Sequence, residues 1–190
     1  MTAIIILAAG ASTRLGSAKQ NLLFEGKTLL QRAMETAIAS GCNPVIVTLG
    51  ANAEVIKPTL KSFKIRIIYN EDWQEGMASS IRLSIGMLKK LAPDADSVIL
   101  MLCDQPFVDE SVLNQLIGEK TKNGIIAATY NKTIGVPVLF DQKYFDELLL
   151  LKGQEGAKKL LMKFADDVLP VPFPLGAVDI DTVEDYEHLK

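Results

Sequence analysis

The sequence predicts an α/β protein with a three-layer α/β/α arrangement around a mainly parallel sheet. Apolar runs of strand length alternate along the chain with stretches in which apolar residues recur at helical spacing. Such alternation favours right-handed crossovers, which place helices on both faces of a parallel sheet. Because the chain has 190 residues and 48% of them are apolar, we expect a single domain, residues 1–190, with one buried core.

The alternation is clearest up to Tyr130. The apolar run at residues 3–9 predicts a buried strand, and residues 28–40 show an amphipathic helical pattern that ends at Gly41. Further apolar or β-branched runs predict strands at residues 44–49, 65–69, 97–103 and 125–129. Helical patterns lie between these strands at residues 53–60, 77–91 and 111–120.

The pattern changes after Tyr130. Residues 131–140 contain Gly135 and Pro137, which indicates a hairpin or a small extended excursion from the sheet. Two helical stretches follow at residues 143–151 and 156–164, and a closing helix is predicted at residues 182–189. The prolines within residues 168–173 favour an edge strand, because proline cannot donate to a central ladder.

Composition excludes several classes of function. The formal net charge of −3 argues against general nucleic-acid binding, and the apolar runs are shorter than the roughly 20 residues of a membrane span. Cys42 and Cys103 have no metal-ligand spacing and, with no secretory signal pattern at residues 1–9, indicate reduced thiols in a cytoplasmic protein. His188 is the only histidine and lies near the end, so we expect neither a histidine-based triad nor a zinc site.

The segment at residues 7–19 is the first candidate site. A buried strand runs into small residues that include Gly10 and Gly16, with Arg14 and Lys19 as cations. Glycines allow backbone N–H groups to approach a ligand closely, and cations balance anionic oxygens, so the pattern suits a polyphosphate. The spacing matches neither the dinucleotide fingerprint nor the Walker A motif. An ordinary strand–helix connection with surface cations is the alternative.

Acidic residues form the second candidate site. Asp104 directly follows an apolar strand, where an unpaired charge is rare, and its carboxylate suits Mg²⁺ bridged to substrate phosphates. Asp179 and Asp181 are two residues apart, so an extended chain would point both carboxylates the same way. The alternative for Asp104 is that it caps the following turn. The alternative for Asp179 and Asp181 is that they only precede a helix whose start is capped by Thr182 and Asp185.

A third candidate lies at residues 70–80, where a strand ends, a loop holds the only tryptophan, and a helix begins. Asn70, Trp73, Gly76, Ser79 and Ser80 could line a substrate site; helix capping and core packing are the alternatives. In open parallel sheets ligands bind at the carboxyl ends of the strands. That rule places residues 10–19, 70–76 and 104–106 along one edge of the sheet.

A fourth candidate, residues 135–137, could present its backbone to a ligand or be only a tight bend.

Taken together, these motifs resemble the molybdenum cofactor cytidylyltransferases, within the nucleotidyltransferase group that also includes the cofactor guanylyltransferases. The resemblance rests on Leu-Ala-Ala-Gly-Ala-Ser-Thr-Arg-Leu-Gly-Ser-Ala-Lys at residues 7–19, and on the motifs at residues 70–80, 103–106, 135–137 and 179–186. They occur in the family's order and cover nearly the whole chain. The resemblance implies a Rossmann-like nucleotidyltransferase fold whose first loop wraps a nucleoside triphosphate.

Roles carry over by position. The resemblance implies that Arg14, Lys19 and Asp104 are catalytic, and that Asp104 binds Mg²⁺ together with Asp179 or Asp181. It implies that the nucleotide contacts Leu7, Ala8, Ala9, Gly10, Ser12, Arg14, Lys19, Ser80 and Asp104. It implies that the second substrate contacts Asn70, Trp73, Gly76, Ser79, Gly135 and Pro137. Residues 15, 84, 136 and 183 depart from the family's common choices. Leu15 is a neutral change, whereas the differences at Ser84 and Val136 bear on substrate identity more than on reaction type.

The implied reaction is Mg²⁺-dependent transfer of CMP from CTP to the terminal phosphate of molybdopterin, the molybdenum cofactor, with release of pyrophosphate. Ala9 favours CTP, because the resemblance associates Ala-Ala-Gly with cytidine and Ala-Gly-Gly with guanosine. The alternatives are a GTP-dependent cofactor guanylyltransferase, a nucleotidyltransferase for a sugar or alcohol phosphate, and a non-catalytic cofactor carrier. A molybdenum hydroxylase or its insertion chaperone is the implied protein partner; no nucleic acid or membrane is expected.

Overall fold

The computed structural model of the protein describes residues 1–60, 63–120 and 124–189. The strands, in chain order, are β1 (Thr2–Ala8), β2 (Leu23–Phe24), β3 (Lys27–Thr28), β4 (Val45–Leu49), β5 (Arg66–Tyr69), β6 (Ser97–Leu102), β7 (Ile125–Tyr130), β8 (Thr133–Asp141) and β9 (Val168–Pro172). The helices are α1 (Leu29–Ala39), α2 (Ala53–Ile56), α3 (Met77–Leu91), α4 (Glu110–Gly118), α5 (Phe145–Leu149), α6 (Ala157–Lys163) and α7 (Val183–Leu189). The alternation of strands and helices that the sequence predicts is confirmed.

Two predicted helices are shorter than expected. Residues 53–60 divide into α2 and a 3₁₀ turn, Lys57–Leu60, because Pro58 has no N–H to continue an α-helix. Residues 143–151 divide similarly into a 3₁₀ turn, Gln142–Tyr144, and α5. The two-residue strands β2 and β3 pair as a small antiparallel hairpin that the sequence pattern did not predict.

Among the described residues, seven strands form the main sheet in the order β5-β4-β1-β6-β8-β7-β9. β1 pairs in parallel with both β4 and β6, β4 pairs in parallel with β5, and β7 pairs in parallel with β9. The chain moves from β1 to β4 and β5 on one side and continues with β6 on the other. The switch point of the sheet therefore lies between β1 and β6, where ligands of open α/β sheets bind.

β8 corrects the expectation of a small excursion near residues 130–140. It forms the predicted hairpin with β7, through Asn131 and Lys132 in the left-handed region (φ 47° and 57°), but it lies inside the main sheet. It is antiparallel to β6 on one side and to β7 on the other. Glycine and proline are uncommon inside strands. Because β8 contains Gly135 and Pro137, the sequence pattern did not predict this nine-residue strand.

The core has two apolar layers, one on each face of the sheet. Ile4, Ile6 and Ala8 of β1 pack on the face covered by α1 and α4, while Ile5 and Leu7 pack on the face covered by α3, α5 and α6. Alternate residues of a strand point to opposite faces, so both layers arise from one apolar strand. Within the described residues no helix has both the length and the apolar character needed to cross a membrane.

Candidate active site

A cavity of about 290 Å³ opens at the carboxyl ends of β1 and β6, at the switch point of the sheet. Three separate predicted motifs meet there, from the loops after β1 and β6 and from the start of α3. The predicted residues that line the cavity are Leu7, Ala8, Ala9, Gly10, Lys19, Trp73, Gly76, Ser80 and Asp104. Six further residues line it: Gln74, Met77 and Cys103 lie within predicted motifs but had no assigned role, and Gln20, Leu102 and Gln154 were not assigned to the site.

The first loop, residues 9–18, is held in place through its carbonyl groups. Gln20 is 1% exposed, and its Nε2 donates to the carbonyl oxygens of Ala8 at 2.8 Å and Gly10 at 3.2 Å. Ser12 Oγ accepts from the backbone N–H of Lys19 at 3.2 Å. Among the described residues, the backbone N–H groups of Gly10, Ala11 and Ser12 have no hydrogen-bond acceptor. The loop therefore keeps N–H groups available for an anion, as phosphate-binding loops do.

An ion-pair cluster joins the first loop to the two acidic segments. Lys19 Nζ lies 2.5 Å from Asp104 Oδ2 and 2.8 Å from Asp181 Oδ1. Arg14 is exposed and donates to the other oxygen of Asp181 at 2.9 Å. The backbone N–H of Ile180 donates to the carbonyl of Asp104 at 3.0 Å, which fixes the second acidic segment against the end of β6. Residues far apart in the chain thus share one charged cluster.

The cluster changes the proton affinity of its members. Burial by itself lowers the pKa of Lys19, but the carboxylates of Asp104 and Asp181 outweigh burial and raise that pKa above its ordinary value. The hydrogen bond from Lys19 lowers the pKa of Asp181, which is therefore charged at neutral pH. Burial, followed by the negative charges of Asp104 and Asp181, raises the pKa of Asp179. Asp179 thus lies in a region of excess negative charge.

Carboxylate oxygens in this cluster fit a hard divalent cation. Asp104 Oδ1 is buried and has no hydrogen-bond partner among the described residues, and Asp179 adds a second carboxylate nearby. No group of three or more His, Cys, Asp or Glu side chains in the described part of the chain is arranged to hold a metal ion. A site here would combine one or two carboxylates with ligand oxygens, which is how Mg²⁺ commonly binds between a protein and phosphates.

Asp185 belongs to helix α7, as expected. Its carboxylate accepts from the backbone N–H of Thr182 at 2.8 Å, and its own N–H donates to Thr182 Oγ1 at 3.1 Å. This reciprocal pair is a capping box. The carboxylate of Asp185 therefore caps the start of α7 and also accepts from the backbone N–H of Asp181.

The tryptophan segment, residues 70–76, is fixed to α3 by buried side chains. Asn70 Nδ2 donates to Ser79 Oγ and to Ser80 Oγ, each at 2.8 Å, and Ser79 Oγ donates to the carbonyl of Gly76 at 2.8 Å. Ser79 does not cap the helix through its side chain, because Gly76 is the N-cap. Asn70 and Ser79 thus use their polar groups to shape the segment, whereas Trp73 and Ser80 line the cavity.

Gly50 brings the first loop and the tryptophan segment into contact. A Cβ at Gly50 would lie 2.7 Å from the carbonyl oxygen of Ala9, 2.8 Å from Cβ of Trp73 and 2.9 Å from Cβ of Ala9. These separations are shorter than real Cβ contacts. Only glycine lets the predicted base-selecting residue Ala9 and the tryptophan approach each other here.

A second set of contacts joins the tryptophan segment to residues 151–156. Arg82 donates to both carboxylate oxygens of Glu75, at 2.8 and 2.6 Å, and to the carbonyl of Leu151 at 2.8 Å. The backbone N–H of Ala78 donates to the carbonyl of Gly153 at 3.1 Å. These contacts place Gln154 beside the cavity. The sequence did not predict that residues 151–156 contact the tryptophan segment, because Arg82 was interpreted as a charge on the surface of the helix.

Residues 4–168 match the family described as the MobA-like NTP transferase domain. The match spans most of the chain and includes the first loop, the tryptophan segment and Asp104. The chain belongs to the MobA-like NTP transferase family. The resemblance to this nucleotidyltransferase group is thereby confirmed.

Two relatives of this MobA-like protein match it over nearly their whole length. The chain is 29% identical to nicotine blue oxidoreductase of Paenarthrobacter nicotinovorans, over 97% of this chain and 94% of that protein. It is 28% identical to the purine catabolism protein PucB of Bacillus subtilis (strain 168), over 98% of this chain and 94% of PucB.

Solved structures show the same architecture. The crystal structure of Rv0371c from Mycobacterium tuberculosis H37Rv is 32% identical, with a TM-score of 0.86 over 99% of this chain and 96% of that one. Rv0371c in complex with manganese has a TM-score of 0.82 at 30% identity, over 99% and 97% of the two chains. The Rossmann-like α/β fold expected from the sequence is confirmed.

The MobA-like domain has a second cavity of about 440 Å³ beside the first. The two cavities share Leu7, Met77, Leu102 and Gln154, so these residues form a common wall. Gly135, a predicted substrate contact, lines the second cavity, whereas Pro137 is buried outside both linings. A Cβ at Gly135 would lie closer to the hydroxyl of Tyr130 than real Cβ contacts allow, so the tyrosine side chain would have to move to accept one.

Cys103 lines the first cavity but is an unreactive thiol. Burial, followed by the charge of Asp104, raises its pKa to about 12. Both Cys103 and Cys42 are buried and form no disulfide. The expectation of reduced cysteines agrees with this arrangement.

Proposed function

We propose that this protein transfers CMP from CTP to the terminal phosphate of molybdopterin or its molybdenum-loaded form, and releases pyrophosphate. The observation that carries the proposal is the pair of adjoining cavities, one beside an anion-binding loop and an ion cluster, the other beside Gly135. A reaction between two bound substrates needs this arrangement. Family membership supports the reaction type, and the resemblance of the motifs supports the substrates.

In this reaction the first loop binds the triphosphate. The available N–H groups of Gly10, Ala11 and Ser12 would hold phosphate oxygens, and Lys19 with Arg14 would balance the charge of the leaving pyrophosphate. The acceptor phosphate is already a nucleophile, so no general base is required. The protein then acts by positioning the two substrates and by neutralising charge.

A divalent cation, Mg²⁺ in our proposal, would be held by Asp104 together with Asp179 or Asp181. When bound, such an ion neutralises and orients the phosphate oxygens at the reacting centre. The unpartnered Oδ1 of Asp104 and the excess negative charge at Asp179 support this assignment. The manganese complex of Rv0371c, a protein 30% identical to this chain, supports a divalent cation in general.

Base selection is assigned to Ala9. Its side chain is 7% exposed, lines the first cavity, and is confined on one side by Gly50 and Trp73. A Cβ fixed at this position occupies space that a purine would need, which favours cytosine over guanine. Trp73 and Gly76 line the same cavity, and Gly76 packs against Gln154, which also lines the second cavity, so we assign both residues to the side of the second substrate.

The acceptor is assigned to the second cavity. At about 440 Å³ it has the size of a small-molecule site, and its lining is mostly apolar, which suits a flat ring system such as a pterin. Lys158 also lines this cavity and could balance an acceptor phosphate.

A molybdenum hydroxylase or its insertion chaperone is the protein partner that would receive the product.

Pyrophosphate release measured with each nucleoside triphosphate, with and without molybdopterin, tests the proposal. We expect release with CTP only when molybdopterin is present. Preference for GTP would indicate a cofactor guanylyltransferase, and activity with sugar or alcohol phosphates would indicate a different acceptor. Tight binding of the finished dinucleotide without pyrophosphate release would indicate a carrier.

A further inference from the structure

Lys19 contacts Asp104 and Asp181, two of the three carboxylates that are proposed as ligands of the divalent cation. Its Nζ donates to Asp104 at 2.5 Å and to Asp181 at 2.8 Å. The side chains of Lys19 and Asp104 are only 16% and 10% exposed, so water screens their attraction weakly. The ammonium therefore already serves as the counter-ion of this site.

Lys19 and Arg14 balance the charge of the two carboxylates that they contact. The ion-paired side chains are two cations, Arg14 and Lys19, and two carboxylates, Asp104 and Asp181, so these four side chains have no net charge, and Asp179 adds the uncompensated negative charge beside them. A divalent cation that approaches this cluster meets carboxylates whose charge is balanced. Removing the ammonium would leave Asp104 buried without a counter-charge, which is strongly unfavourable.

Lys19 can leave the carboxylates without moving the loop. Its backbone N–H is anchored on Ser12 Oγ at 3.2 Å, while the ammonium is at the end of a flexible four-carbon chain that lines the cavity. The N–H groups of Gly10 to Ser12 lie in the same loop. A triphosphate bound there would offer the ammonium stronger negative charge than the carboxylates do.

We propose that Lys19 occupies the carboxylates as an internal counter-ion, and that nucleotide phosphates draw it away and thereby make Asp104 and Asp181 available to a divalent cation. The inference rests on the proposed function of this site and assigns Lys19 a second role, beyond phosphate binding. By linkage, the nucleotide and the cation then strengthen each other's binding. Without nucleotide, the cation binds weakly.

Titration of Mn²⁺ without nucleotide, followed by the electron paramagnetic resonance signal of free Mn²⁺, tests this proposal. We expect Lys19→Met to bind Mn²⁺ at least about tenfold more tightly than the wild type, since a competing charge is gone. Lys19→Arg keeps the charge and should remain as weak as the wild type. Lys27→Met is the control, because Lys27 pairs with Glu35 on an exposed surface. It should bind like the wild type.

The gain must depend on Asp104. In the double variant Lys19→Met/Asp104→Asn, the tighter Mn²⁺ binding should disappear. Mn²⁺ should also raise the unfolding temperature of Lys19→Met more than that of the wild type, because it replaces the lost counter-ion. Equal Mn²⁺ affinity in Lys19→Met and the wild type, or a gain that persists without Asp104, would overturn the proposal. These readouts need no turnover, so they stand apart from a failure of pyrophosphate release.

Discussion

The side-chain amide of Gln20 donates to the carbonyl oxygen of Ala8 at 2.8 Å, at the point where β1 ends and the first loop begins. The same Nε2 lies 3.2 Å from the carbonyl of Gly10. Because both partners are acceptors, the amide nitrogen must face them. Gln20, which lines the first cavity, thus fixes the curvature of the loop without presenting a charge to the ligand.

Gln20→Leu removes this donor and leaves the buried carbonyl of Ala8 without a partner. We expect the free energy of unfolding to decrease by about 1–3 kcal/mol, the usual cost of an unsatisfied buried group. We also expect CTP to bind about tenfold more weakly, since loop residues would lose their fixed geometry. Urea unfolding and calorimetric titration measure the two effects. Gln115→Leu on the exposed face of α4 is the control, and equal behaviour of the two variants would contradict the role of Gln20.

Asp104→Ala tests the charged centre of the proposed reaction. We expect turnover with CTP and Mg²⁺ to decrease by about 10² to 10³, as when one electrostatic stabiliser is removed. Folding should be largely retained, because Lys19 keeps its ion pair with Asp181. Pyrophosphate release is the assay, and Asp94→Ala, an exposed carboxylate outside the cavity lining, is the matched control. Wild-type turnover in Asp104→Ala would show that the metal assignment is wrong.

The sequence predicted features that depend on local pattern. The buried strand β1, its glycine-containing loop and the carboxylate after β6 all follow from short runs of residue types, and the rule for parallel sheets brings them together. The cap at the start of α7, formed by Thr182 and Asp185, is equally local. These features needed no knowledge of tertiary contacts.

Features that depend on tertiary approach were not predictable. In the sequence Gln20 is a polar residue after a lysine and has no recognisable role. It anchors the loop only because its Nε2 lies 2.8 Å from the carbonyl oxygen of Ala8 at the end of β1. The central position of β8 depends on two antiparallel partners, and its glycine and proline point to a loop instead. Arg82 and Leu151 are far apart in sequence, so their contact follows from packing of α3 against residues 151–156.

Gly50→Ala tests the contact between Ala9 and Trp73. The added Cβ meets backbone and side-chain atoms at 2.7–2.9 Å, so we expect destabilisation of about 1–3 kcal/mol together with altered preference between CTP and GTP. Gly86→Ala is the matched control, because a Cβ there has open space within helix α3. We expect that variant to be stabilised by about 0.5–1 kcal/mol, as alanine favours helix over glycine. Unchanged stability and base preference in Gly50→Ala would contradict the packing argument.

The pH dependence of stability separates the two carboxylates of the second acidic segment. The pKa of Asp181 is lowered in the folded state, so the unfolded chain binds its proton more tightly. The stabilisation from Asp181 is therefore present above the unfolded pKa and is lost as the pH falls through the folded pKa. The pKa of Asp179 is raised, so the folded state binds that proton more tightly and Asp179 has the opposite effect.

Urea unfolding of Asp181→Asn and Asp179→Asn, at about pH 7 and about pH 3.5, measures this difference in sign. Asp181→Asn should be less stable than the wild type at neutral pH, with the gap narrowing in acid as the wild type loses its ion pairs. Asp179→Asn should be more stable than the wild type at neutral pH, because one carboxylate in a region of excess negative charge is removed. That gain should also diminish in acid, as Asp179 takes up its proton. If both variants shift stability in the same direction at neutral pH, Asp179 does not carry the uncompensated charge, and its place as a cation ligand loses its electrostatic support.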